Sequence, residues 1–130
     1  MFATRMKVLT AVAAAAVMST GTATAQEKPL EHMLGMVDGL YAACTYEGPD
    51  QAEVEYHFGN CVGFIRGVRV TYEVQAMEHG EHFICPPADI QNVQLRDAVV
   101  AEIDTGKWPK DSYSPYPIVA ALKKSWPCPT

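Results

Sequence analysis

Apolar residues recur at helical spacing through most of the chain. Leu30, Met33, Leu34, Val37, Tyr41 and Cys44 fall on one face of a helix over "PLEHMLGMVDGLYAAC". Gly48 and Pro49 then break the pattern, and Asp50 with Glu53 three residues on has the form of a capping box, so a second helix starts here. From 51 to 78 two periods coexist. Val54, Phe58, Cys61, Ile65, Val68, Tyr72 and Ala76 advance by three and four, as in a helix. Val68, Val70, Tyr72 and Val74 alternate with Arg69, Thr71, Glu73 and Gln75, as in a strand. The longer pattern favours a helix, and any strand would lie in 68–75.

"EHGEHFICPPAD" reads as a loop punctuated by Gly80, Pro86 and Pro87. A third helix runs from about Ile90 to Ile103, with Leu95, Ala98, Val99, Glu102 and Ile103 along one side. "DTGKWPKDSYSPYP" is a long polar and aromatic connection. Pro117 suits the first turn of a fourth helix, which turns Ile118, Leu122 and Trp126 inward and carries Lys123 and Lys124 near its C-terminus. The pattern predicts an all-α domain, a small four-helix-type bundle.

The first 25 residues stand apart from this pattern. Arg5 and Lys7 precede an apolar, alanine-rich run, and Ala23-Thr24-Ala25 precedes Gln26. These are the marks of a secretory signal peptide cleaved after Ala25, and the apolar run is too short and too weakly apolar to span a membrane. The expected mature domain is 26–130. Losing Arg5 and Lys7 leaves 8 basic residues against 15 acidic ones, a net charge of −7. An acidic chain of this size is not a nucleic-acid binder and is repelled by an anionic membrane surface.

Export changes the reading of the cysteines. Cys44, Cys61, Cys85 and Cys128 all lie in the mature part, an even number in an oxidising compartment, and no two have C-x-x-C spacing. They read as two structural disulfides. That bears on chemistry, because no thiolate is then left as a nucleophile. "EHGEHFIC" gathers His79, Glu81, His82 and Cys85, all potential metal ligands, but without a strict motif and with Cys85 consumed by a disulfide. Glu53 with Glu55, and Glu78 with Glu81, are the available carboxylate pairs on a surface where acidic pairs are common. No catalytic residue, metal ligand or cofactor site is therefore assigned. The 104–117 connection is the candidate for binding another protein, through Trp108, Tyr113 and Tyr116 among Lys107, Lys110 and Asp111, since Trp and Tyr are enriched at binding hot spots.

Gly59, Gly63 and Gly67 sit four apart in the second helix, although glycine costs about 1 kcal/mol relative to alanine at each helical position. The reading is a bare stripe where another backbone packs closely, with Gly35 and Gly39 of the first helix as its counterpart. Arg66, Arg69 and Glu73 close by rule out a stripe made for lipid.

"CVGFIRGV" (61–68), "FICPP" (83–87), "VQLRDAVV" (93–100) and "ALKKSWPC" (121–128) occur in that order. This set resembles the Rap/Tai family of immunity proteins associated with type VI secretion. The resemblance implies a disulfide-stabilised helical fold, with 61–76 helical. It also implies a periplasmic protein, not an enzyme and without a cofactor, that forms a homodimer and blocks the active site of a peptidoglycan amidase toxin with an inserted loop. The sequence departs from the family pattern at Arg69 and Val70 after Val68, and at "EIDTGKWPKD" after the third helix. The family's toxin-contacting positions lie outside these motifs, so none is carried over. The alternatives are a periplasmic helical domain of another role, such as a small stress chaperone, and a metal-binding or enzymatic protein using His79, Glu81 and His82.

In an up-down bundle, the turn after the second helix and the C-terminus share an end. That favours Cys85–Cys128 and leaves Cys44–Cys61. Cys61 then lies about 11 residues, roughly 16 Å, into the second helix. The linker 45–50 must run back along that helix, or the helix must start late. The rival pairing is Cys44–Cys128 with Cys61–Cys85.

Overall fold

The computed structural model describes residues 33–130, so the expected leader 1–25 lies outside the described residues. Four helices follow in order: α1 (Val37–Cys44), α2 (Gln51–Glu78), α3 (Asn92–Ile103) and α4 (Pro115–Ser125). Among the described residues there is no strand beyond one isolated antiparallel bridge, Met36 to Tyr113. None of the helices described is long and apolar enough to cross a membrane. The all-α bundle expected from the pattern is the observed fold.

The 28 residues of α2 make a rod about 42 Å long, more than twice the length of α3 or α4. It starts where the punctuation places it. The Asp50 carboxylate accepts from the Ala52 N–H at 2.8 Å, satisfying one of the orphan donors of the first turn. The helix runs unbroken through 68–75, so the period-2 pattern there is overridden. Val68 and Tyr72 pack against the core, while Val70 and Val74 face out. At the start of α3, the Gln94 Oε1 accepts from the Gln91 N–H at 2.8 Å. Pro115 and Pro117 both fall in the first turn of α4, where a missing N–H costs nothing.

α3 and α4 pack side by side, and α2 crosses both, with α1 against α2 and α3. Leu40, Cys61, Ile65, Leu95, Val99, Ile118 and Leu122 fill the centre, all but inaccessible to solvent. Each large side chain buried this way is worth about 1.5–3 kcal/mol.

The disulfides are Cys44–Cys61 and Cys85–Cys128. The linker 45–50 does run back along α2 to allow the first of them. Tyr46 stacks on His57 with ring centroids 4.0 Å apart, and its hydroxyl donates to Glu53, which raises the Tyr46 pKa. The second ties the α2–α3 connection to the chain end, helped by the Cys85 N–H donating to the Trp126 carbonyl at 2.8 Å.

Two expectations are corrected. The first helical pattern does not give one continuous helix. Met36 is extended (φ −112°, ψ 149°), and α1 begins only at Val37. The Gly35 carbonyl accepts from the Ser114 N–H at 3.0 Å, and this pairing with the α3–α4 connection pulls the chain out of helical geometry. The glycine stripe, in turn, does not receive a neighbouring backbone among the described residues. A Cβ built on Gly59, Gly63 or Gly67 would meet nothing within 4 Å. The proposed counterpart Gly39 is crowded, but by the Met33 carbonyl, which occupies the place its Cβ would take.

Candidate functional site

The connection from α3 to α4 carries the candidate binding residues, and it is tightly fastened. After Ile103 the chain turns through Thr105, whose N–H donates to the Glu102 carbonyl, and through Gly106, whose N–H donates to that of Ile103. Gly106 takes φ +75°, a left-handed conformation that glycine adopts without a Cβ penalty. Farther on, the carbonyls of Lys110 and Ser112 accept from the N–H groups of Asp38 and Val37, each at 3.0 Å. α1 has no side-chain cap, so the connection satisfies two of its orphan donors directly. The buried Ser114 hydroxyl donates to the Leu34 carbonyl.

Trp108 is half-buried, and its indole Nε1 donates to Glu102 Oε1 at 3.1 Å. Glu102 is 4 % exposed, a carboxylate inside the domain. Lys107 Nζ lies 3.1 Å from Oε1 and Lys124 Nζ 3.8 Å from Oε2. Burial pushes the carboxyl pKa up. The hydrogen bonds from Trp108 and Lys107 and the two lysine charges outweigh it, and the net result lies below the usual value of 4.5. Glu102 thus joins the end of α3 to the connection and to α4.

The three aromatic residues separate in role. Trp108 is an internal brace that also lines a cleft of about 570 Å³ with Tyr41, Ile103, Asp104 and Lys110. Tyr41 is held protonated above its usual range, first by its hydrogen bond to Asp104 and then by that residue's charge. Tyr113 and Tyr116 are 66 % and 64 % exposed, so two large amphipathic side chains stand in solvent on a segment fixed at both edges. An ordered loop loses little entropy on binding, which favours its use as a recognition element.

Glu102 was not assigned a role from the sequence, yet the signal was present, because a carboxylate stands among Leu95, Val99 and Ile103 on the apolar side of α3. We predict that Glu102→Ala costs about 1–3 kcal/mol at neutral pH, because it strands the indole N–H. The two ion pairs add little, since both lysine side chains are mostly exposed. A folded pKa below the unfolded value makes the carboxylate's contribution present above pH 4.5 and lost as pH falls through the folded value. Denaturant titrations should therefore show the gap between wild type and Glu102→Ala narrowing below pH 4.5.

The remaining candidates do not assemble into a site. His79, Glu81 and His82 lie on the exposed turn after α2, and Cys85 is oxidised. Among the described residues no three His, Cys, Asp or Glu side chains are grouped to hold a metal ion. Glu53 is engaged by Tyr46, and Glu55 accepts from Gln51 Nε2 at 3.1 Å.

No curated protein and no solved structure matches this chain. The family model of the Rap1a immunity proteins matches residues 36–128, a span that takes in all four helices, both disulfides and the α3–α4 connection. With a match over most of its length, the chain belongs to the Rap1a immunity protein family.

Proposed function

We propose that the protein is exported, loses residues 1–25, and works in the periplasm as the immunity partner of a peptidoglycan amidase delivered by type VI secretion. It acts as a stoichiometric blocker and not as an enzyme. Family membership supports an immunity role. The leader-like N-terminus and two disulfides suit an oxidising compartment. The observation that carries the binding site is the exposure of Tyr113 and Tyr116 on a connection pinned to α1 and braced through Trp108 and Glu102. Such a segment presents two tyrosines to a cleft without having to be ordered first.

The test is inhibition of a cell-wall amidase encoded beside this chain, followed through release of cross-linked peptide from peptidoglycan. A tyrosine at a hot spot contributes about 2 kcal/mol, or roughly 30-fold in affinity. Tyr113→Ala combined with Tyr116→Ala should therefore weaken inhibition by at least about 30-fold while leaving the melting temperature unchanged. Full inhibition by the double variant would place the contact elsewhere on the domain. Failure of the wild-type protein to bind any cell-wall hydrolase at micromolar concentration would dispose of the inhibitor function itself.

A further inference from the structure

The cleft walled by Tyr41 and Trp108 has a chemistry of its own. Three stretches meet around it: the first turn of α1 with Asp38, the end of α3 with Asp104, and the connection with Trp108 and Lys110. Its volume of about 570 Å³ is that of a ligand site. The domain orients its two carboxylates without neutralising them. Asp38 Oδ1 accepts from the Gly39 N–H at 2.8 Å, and Asp104 accepts from the Tyr41 hydroxyl. Each is thus held at one point with acceptor capacity to spare, since an ionised carboxylate has about four acceptor sites. Among the described residues the ion pairs are Arg69–Glu73, Arg96–Asp97 and those of Glu102 with Lys107 and Lys124. Neither Asp38 nor Asp104 therefore meets a basic group within 4.0 Å, not even Lys110 of the same cleft.

The aromatic wall is fixed as well. The Trp108 indole N–H is committed to Glu102, so what Trp108 offers the cleft is ring and not a donor. Aromatic rings beside carboxylates that lack a counter-charge suit a planar cation. A guanidinium stacks on a ring, and its fork of donors matches carboxylate oxygens. The cleft also adjoins the exposed tyrosines. Val37, which lines it, follows Met36, the residue bridged to Tyr113. A protein seated on Tyr113 is therefore one residue from the cleft. The chain is acidic overall, at −5, which steers a basic surface toward it. We propose that this cleft is an arginine-binding pocket, and that it receives an arginine of the toxin between Asp38 and Asp104, against Tyr41 and Trp108. The source of the arginine rests on the immunity reading; the chemistry of the pocket does not.

The pocket is tested on the protein alone, titrated with N-acetyl-arginine amide and followed by NMR through the Trp108 indole and Gly106 amide signals. A single side chain in an open cleft should bind with a Kd on the order of millimolar. N-acetyl-citrulline amide has the same shape without the charge and should give no saturable shift. N-acetyl-lysine amide should bind more weakly than the arginine compound, because an ammonium neither stacks nor forks. Asp38→Asn combined with Asp104→Asn keeps an acceptor for the Gly39 N–H and for the Tyr41 hydroxyl, so the domain still folds. This double variant should lose the arginine shift. Lys110→Ala removes a like charge from the cleft and should tighten arginine binding by about twofold.

The source is tested against the amidase. There the double variant should raise Kd by about 30-fold, a loss that shrinks as salt rises. No saturable shift with the arginine compound up to roughly 100 mM, an equal response to the citrulline compound, or lysine bound as tightly as arginine would each overturn the pocket. A pocket that takes arginine while the double variant binds the amidase as tightly as wild type would overturn the toxin as its source. Wild-type protein that takes arginine and binds no amidase would overturn the immunity reading, and the toxin as source with it, but not the pocket.

Discussion

Reducing both disulfides should unfold the domain at ambient temperature. In the loop-closure account, a bridge constrains the unfolded chain more as its loop lengthens. The loops here are 17 and 43 residues, worth about 3 and about 4 kcal/mol. Together they amount to about 7 kcal/mol, whereas a domain of this size has a total stability of about 5–15 kcal/mol. The hydrophobic centre leaves little reserve, since it is built from about a dozen medium-sized side chains in fewer than a hundred described residues. Far-UV circular dichroism with and without reductant checks this. The paired Ser variants resolve the two contributions: Cys85→Ser with Cys128→Ser should cost more than Cys44→Ser with Cys61→Ser, by about 1 kcal/mol. A reduced protein that keeps its helical signal and melts cooperatively above about 50 °C would show that the core suffices.

Glycines at the same spacing should respond in opposite directions. At Gly39 a methyl group would overlap the Met33 carbonyl, which is backbone and cannot swing aside as a side chain would. Gly39→Ala should therefore destabilise the domain by about 3 kcal/mol, since the turn before α1 must move to admit it. At Gly59, Gly63 and Gly67 the added methyl meets open space. Each substitution by alanine should stabilise the monomer by about 0.5–1 kcal/mol, through reduced entropy of the unfolded chain. Urea titrations separate the two cases. A destabilised Gly63→Ala monomer would mean that this face is packed inside the domain after all.

The contrast between Gly39 and the other three glycines comes from packing that spacing does not encode. Spacing identified Gly59, Gly63 and Gly67 as one stripe, but spacing says nothing about which face of a helix meets which neighbour. α2 satisfies its core contacts through Cys61, Ile65 and Val68, and the glycines fall on the opposite side. The boundary of α1 failed for a related reason. Local periodicity ran through Gly35 and Met36, whereas the pairing of Gly35 with Ser114 comes from a segment nearly eighty residues away.

Local chemistry was sufficient wherever local chemistry does the work. Asp50 with the Gly48-Pro49 break placed the start of α2, the prolines placed the first turn of α4, and periodicity identified four helices and most of the core. Cysteine number, together with the leader-like start, implied two bridges. Bundle topology favoured Cys44–Cys61 with Cys85–Cys128, and that is the pairing observed; what needed the third dimension is how the first bridge is reached, with the 45–50 linker doubling back along α2 and Tyr46 seated on His57. The candidate site divided in the same way. Aromatic content singled out the 104–117 connection. Only packing separated Trp108, tied to a buried Glu102 and so structural, from Tyr113 and Tyr116, left in water and free to meet a partner. Helices, caps and turns arise from interactions a few residues apart and are written in the chain. The direction a side chain finally faces follows from which elements stack on which, and that is settled by contacts between residues far apart in sequence.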